Sequence, residues 1–194
     1  MDRLKNYSLV LASQSPRRKE LLENMGLQFV VEKPTVAERY PDELSPQQLA
    51  EHLAVQKAMS VHSLYDPQST IIIGGDTIVC VNNTILEKPK DKKDAAAMLT
   101  LLSGKRHKVI SGICVCHNQK IAHRHDVTHV CFETLSSEEI NYYIEKYQPF
   151  DKAGAYGIQE WAGHTAISLI KGSYYNVMGL PTHLLWQMLK ETVP

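Results

Sequence analysis

A chain of 194 residues suits one large domain or two lobes sharing a sheet, and folding at this length buries roughly 70% of the unfolded surface without disulfides or structural metal. Lys plus Arg number 21 and Asp plus Glu number 21, a balance that excludes a protein coated in basic residues, as many non-specific nucleic-acid binders are. The composition is that of an ordinary globular chain, no window approaches the roughly 20 apolar residues of a membrane span, and the 4 cysteines, without a leader-like N-terminus, predict free thiols in a cytoplasmic protein.

In chain order, Tyr7 to Ala12 is an apolar run of strand length. Ser15 and Pro16 then start a helix whose stripe is Leu21, Leu22 and Met25, and Gly26 marks its end. Gln28 to Val31 predicts a second strand and Glu32 to Leu44 a loop. Ser45-Pro46 starts a second helix, with Leu49, Leu53, Ala54 and Val61 at helical spacing. Thr70 to Val81 is the most strand-like segment, broken by Gly74-Gly75-Asp76, and Asn82-Asn83 offers a tight turn before Thr84 to Leu86. Asp91 to Leu102 reads as a helix closed by Ser103-Gly104. Val109 to Cys116 and Ile121 to Phe132 form a hairpin, and Ser136 to Glu139 is a capping box opening a further helix. Phe150 to Gly163 is glycine-punctuated and fits no regular element. Ala166 to Ile170 is a strand, and Leu180-Pro181 starts a last amphipathic helix. Alternating strands and helices indicate an α/β fold, and the hairpin points to a mixed sheet, with room for a cleft between two lobes.

Some residues fit these elements poorly and so invite a functional reading. Arg17 and Arg18 occupy the first turn of a helix, where they oppose its dipole; a bound anion offsets that penalty, and Arg suits bidentate phosphate contacts. The alternative is a solvated basic turn with Ser15 only a cap. Asp76 interrupts an apolar strand, and the paired glycines before it would let a ligand approach the backbone closely. Such an Asp is a metal ligand, a water-activating base, or an acceptor of backbone hydrogen bonds in a bulge. Glu38, Lys57 and Lys88 are single charges on ordinary elements, surface groups alone but a metal–triphosphate site together with Asp76 and the arginines. Gln159, after the Asp151-to-Gly157 turns, carries one donor and one acceptor able to read a base edge. The cysteines and histidines between Cys114 and Cys131 match no zinc spacing, and there is neither a Walker-type loop nor a GxSxG elbow.

These segments together resemble the Maf-like nucleotide pyrophosphatase family. The signs run from LASQSPRRKELL at Leu11 to Leu22, through Glu38, QKA around Lys57, GGDTIV around Asp76, EKP around Lys88 and LLSGKRHKVISG at Leu101 to Gly112, to FDKAGAYGIQ at Phe150 to Gln159 and GSYYNVMGLP at Gly172 to Pro181. The resemblance implies one domain over residues 1–194, with an elongated mixed sheet flanked by helices and an active site in a cleft between two lobes. It implies hydrolysis of a nucleoside triphosphate to the monophosphate and pyrophosphate with magnesium or manganese, and the DKAGAYGIQ form is that of the branch acting on dTTP, UTP and modified uridine nucleotides. Carried over by position, Ser13, Arg17, Arg18, Lys57 and Lys88 hold phosphates, Glu38 and Asp76 bind metal, Asp76 orients or deprotonates water, and Thr77 and Gln159 select the pyrimidine. A homodimer is a further expectation of the family, with no nucleic-acid or membrane partner. Departures are Gly75 for the usual alanine, Glu87 and Glu160 for glycines, and Ala37 for an acid; Glu87 and Glu160 bring negative charge near the expected pocket. The rival reading is a nucleotide-binding regulator of cell division without significant turnover.

Overall fold

The computed structural model describes residues 2–36 and 43–193, so Ala37 and Glu38 lie outside the described residues. The chain begins with a 3-10 turn (Asp2–Asn6). It continues through β1 (Ser8–Ala12), α1 (Pro16–Asn24), β2 (Phe29–Glu32), α2 (Pro46–His62), β3 (Thr70–Val81), β4 (Thr84–Leu86) and α3 (Lys92–Leu102). The second half holds β5 (Arg106–His117), β6 (Lys120–Phe132), α4 (Ser137–Tyr147), a 3-10 turn (Ala153–Ala155), α5 (Trp161–Thr165), β7 (Ile167–Lys171), α6 (Tyr174–Met178) and α7 (Thr182–Thr192). The strands make one seven-stranded sheet in the order β2-β1-β3-β5-β6-β7, with β4 pairing β3. β1 runs parallel to β2 and β3, whereas β3–β4 and β6–β7 are antiparallel, so the expected mixed α/β sheet is present. Among the described residues no helix is long and apolar enough to cross a membrane.

Two compact units divide this chain. The first comprises Met1–Asp76, Ser111–Asp126 and Gly179–Pro194. Its core gathers Val10 and Ala12 of β1, Ala54, Ala58 and Val61 of α2, Ile72 of β3, and Cys114 and Cys116 of β5. The second comprises Thr77–Ile110 and Val127–Met178. Its core packs Leu99 and Leu102 of α3 and Ile140, Tyr143 and Ile144 of α4 against Val79, Val109, Val130 and Phe132. β3, β5 and β6 each contribute residues to both units.

Several local features follow from the sequence as expected. α2 and α4 start on serine caps: Ser45 Oγ accepts from the Gln48 N–H and Ser136 Oγ from the Glu139 N–H, each in a reciprocal capping box. Gly26, with φ 71°, follows the end of α1, as a left-handed cap requires.

The expected break in β3 is absent: the strand runs unbroken through Gly74-Gly75-Asp76. The glycines serve the protein's own packing. A Cβ on Gly74 would lie 2.3 Å from the Ala54 carbonyl oxygen and 2.9 Å from Ala58 Cβ. A Cβ on Gly112 of β5 would lie 2.2 Å from the Ala50 carbonyl oxygen. The Ala50, Ala54, Ala58 stripe therefore sits directly on bare backbone at Gly74 and Gly112. On the other side of β3, a Cβ on Gly75 would meet Arg18 Nε at 3.2 Å. α5 and α6, each five residues long, fill part of the glycine-punctuated segment and the GSYYNVMGLP segment, for which no helix was expected.

Candidate active site

The turn from β1 to α1 is built around Arg18. Ser13 caps the strand end with its N–H on the Leu11 carbonyl (2.9 Å), and its hydroxyl accepts from the Ser15 N–H (3.2 Å) and from Arg18 Nη1 (3.3 Å). Arg18 Nε donates to the Gly179 carbonyl at 2.8 Å, tying the first helix to the start of the C-terminal segment. The guanidinium is 8% exposed and lies over Gly75, whose missing side chain leaves the space it fills. Burial pushes its pKa below the usual arginine value, Asp76 pulls it back up, and Arg17 pushes it down. A guanidinium stays charged under such shifts, so a fixed positive charge is held inside the turn. Ser15 makes no side-chain cap bond, and no acidic residue stands in the first turn of α1. The dipole conflict read from the sequence is therefore real, and Asp76 is what relieves part of it.

Asp76 leaves β3 on the same face as Gly74, toward α2, because strand side chains alternate. There Lys57 Nζ donates to its Oδ1, with both side chains mostly buried. The burial cost of a carboxylate in an apolar strand is thus met by a lysine on α2, three residues after Ala54, which itself packs on Gly74. Ser13, Arg17, Arg18, Lys57 and Asp76 all belong to the first unit. Arg17 is half-buried.

Thr77, Lys88 and Gln159 belong to the second unit. Thr77 follows Asp76 on β3 and faces the opposite side of the strand. Lys88 is exposed, between Glu87, whose carbonyl accepts from the Gly154 N–H, and the buried Pro89. Gln159 is half-buried, and its Oε1 is buried without a hydrogen-bond partner among the described residues, an arrangement that favours a donor supplied by a ligand. Glu38, expected as a metal ligand, lies outside the described residues.

Glu160 does not leave a bare negative charge beside Gln159. Its carboxylate accepts from Lys152 Nζ at 2.9 Å and from the Tyr143 hydroxyl, and Tyr143 in turn accepts from the Gly157 N–H at 3.0 Å. Gly157 makes the room, since a Cβ there would lie 2.8 Å from Glu160 Cδ. Lys152 is 7% exposed and also binds Asp151 at 2.7 Å. The roles of Lys152, Tyr143 and Gly179 were not expected from the sequence, where the one signal is a lysine placed next to the glycine-rich Ala153-to-Gly157 turn. The cysteines are free, the Cys114 and Cys116 sulfurs face one another at 3.4 Å on one side of β5, and among the described residues no three His, Cys, Asp or Glu side chains gather as metal ligands. His123 and His125 instead both grip Glu51 of α2.

Comparison with known proteins places this geometry in a family. The profile of the family described as Maf-like protein matches residues 8–192. A Porphyromonas gingivalis protein named dTTP/UTP pyrophosphatase is 48% identical over 193 residues, covering 98% of this chain and 97% of its own. A Bacteroides thetaiotaomicron protein of the same name is 43% identical over 189 residues, covering 97% of each. Among solved structures, the Ham1 protein of Staphylococcus aureus aligns over 95% of this chain and 98% of its own at 16% identity, with a TM-score of 0.49. With nearly its whole length matched by the family profile and by relatives above 40% identity, the chain belongs to the Maf-like protein family.

Proposed function

We propose that this protein is a nucleoside triphosphate pyrophosphatase that cleaves dTTP and UTP, and modified pyrimidine nucleotides of similar shape, to the monophosphate and pyrophosphate. The observation that carries this reading is the fixed Arg18 charge over Gly75, beside the Lys57–Asp76 pair: buried cations adjoin one carboxylate at a helix start. Relatives that carry the dTTP/UTP pyrophosphatase name over their full length support the substrate.

In this reading Ser13, Arg17, Arg18, Lys57 and Lys88 hold the triphosphate oxygens. The Ser13 hydroxyl already accepts two hydrogen bonds, so its own proton is directed to an incoming oxygen. Asp76 orients the attacking water and takes its proton. Lys57, now on Asp76, moves to a phosphate oxygen as substrate enters, which frees the carboxylate for that task. The donor set suits magnesium or manganese, since one carboxylate plus substrate phosphates is a common way to hold such an ion, and Asp76 with Glu38 would hold it. When bound, the ion neutralises charge on the leaving pyrophosphate. Thr77 and Gln159 read the pyrimidine, Gln159 through the oxygen that has no protein donor. The protein acts in the cytoplasm, and a homodimer is its proposed assembly.

Purified protein given dTTP or UTP with magnesium should release pyrophosphate, measured by a coupled assay and by the monophosphate formed. Orthophosphate as the only phosphate product would sink the bond assignment. A chelator should abolish turnover, and magnesium or manganese should restore it; full activity after metal removal would exclude the ion from the reaction.

A further inference from the structure

The second unit carries a cluster of positive charge that the reaction above does not use. Cys80 near the end of β3 and Asn82 and Asn83 in the following turn wall a cavity of about 320 Å³ with Arg106, His107 and Lys108 of β5 and His129 of β6. Arg106 and Lys108 project from one side of β5, two residues apart, while His107 between them turns inward to the Tyr156 hydroxyl at 2.7 Å. Lys171 of β7 stands opposite His129 in the β6–β7 register. Burial holds the pKa of the half-buried His129 ring below the usual histidine value, and Arg106, Lys108 and Lys171 push it further the same way.

No carboxylate of a described residue comes within ion-pairing distance of Arg106, Lys108 or Lys171. The mostly buried lysines of this protein are matched, Lys57 by Asp76 and Lys152 by Glu160 and Asp151, whereas here two unpaired cations face one concave space. Like charges gathered around a concave space repel unless a counter-ion enters it, and the two asparagines add amide donors at its rim. The cavity lies toward the low end of the roughly 300–1,000 Å³ typical of ligand sites, which favours a small anion. The chain's zero net charge withholds the broad positive field that a nucleic-acid track needs.

We propose that this cavity is a binding site for a compact polyanion of the pyrophosphate class, built from Arg106, Lys108 and His129, with Lys171 beside His129 adding its charge from outside the lining. It shares no residue with the Ser13, Arg18 and Asp76 site and does not rest on the reaction assigned to it. The guanidinium grips two oxygens of one phosphate group, the lysines neutralise the other, and the Asn82–Asn83 turn closes the rim.

The test is a titration of isotope-labelled full-length protein with inorganic pyrophosphate, followed by magnetic resonance at the Asn82, Asn83 and Lys108 amides and the His129 ring. Saturable shifts at these positions are expected. The double variant Arg106→Gln, Lys108→Gln should weaken them by about ten-fold or more, the loss of one to two charge-assisted bonds. Lys171→Gln alone, at an exposed position, should weaken them several-fold and guards against a double variant that fails to fold. Shifts that never saturate, that sodium chloride at equal ionic strength reproduces, or that persist unchanged in Lys171→Gln would overturn the site. So would a single-stranded oligonucleotide that shifts these residues where pyrophosphate does not.

Discussion

The Asp76 carboxylate emerges from a strand that is otherwise apolar, and Lys57 is the group that makes its position tolerable. Asp76→Asn should lower turnover on the order of 10²–10⁴-fold, the usual worth of a positioned base, while nucleotide binding stays measurable by calorimetry. Near-wild-type rates in that variant would place the base elsewhere. The neighbouring glycines give a sharper contrast, because their missing side chains face opposite ways. Gly74→Ala puts a methyl 2.3 Å from a helix carbonyl that cannot yield without moving α2, so it should cost about 3 kcal/mol or more in denaturant unfolding. Gly75→Ala meets the flexible Arg18 side chain at 3.2 Å and the Gly112 carbonyl oxygen at 3.6 Å, an ordinary van der Waals distance, and should stay within about 1 kcal/mol of the parent. Equal effects from the two substitutions would contradict this account of the strand. Gln159→Ala should change the ranking of dTTP, UTP and purine triphosphates more than it slows hydrolysis, and an unchanged ranking would remove Gln159 from base selection.

Among the elements, those with local signals were legible and those set by distant contacts were not. The apolar runs of β1 and β3, the serine starts of α2 and α4, and the alternation that puts Cys114 beside Cys116 all follow from residue spacing. α5 and α6 are too short for a helical stripe to register, and β3 looked broken because glycines that receive α2 and Arg18 are indistinguishable in sequence from glycines in a turn. The site was legible as residue types, but its pairing was not: nothing local links Lys57 to Asp76 or Lys152 to Glu160. β5 also hides a pH response. Burial lowers the His107 pKa to about 4, and its ring packs edge-on against Phe132 and Tyr156. The unfolded chain protonates this histidine near its usual value while the folded one does not, so stability is lost as pH falls from about 6.5 to about 4. That gap corresponds to roughly 3 kcal/mol. The urea midpoint should therefore drop between pH 7 and pH 5 more steeply in the parent than in His107→Gln, which keeps a partner for Tyr156. Parallel pH profiles would exclude His107 as the cause.

At the scale of the molecule, neither unit is a continuous piece of chain. The first needs residues from the N-terminal half, from β5 and β6, and from the segment after Gly179, where α7 buries Leu185, Met188 and Leu189. A chain ending at Met178 should therefore lose more than a terminal helix. Leu180, Leu185, Met188, Leu189 and Val193, all buried, go at about 2 kcal/mol each, together with the carbonyl that holds Arg18. Thermal unfolding followed by circular dichroism should show a greatly lowered or absent transition, and a native-like melt would mean that α7 is dispensable.

The bond from Arg18 to Gly179 spans 161 positions, and that separation has a meaning in time as well as in space. A ribosome makes the Ser13-to-Arg18 turn 161 residues before the anchor. Through that interval a growing chain carries the arginine without the contact that fixes its direction. If Arg18 holds phosphate as proposed, a chain released before Gly179 should bind nucleotide less well than the finished one, which calorimetry on a chain ending at Met178 would check.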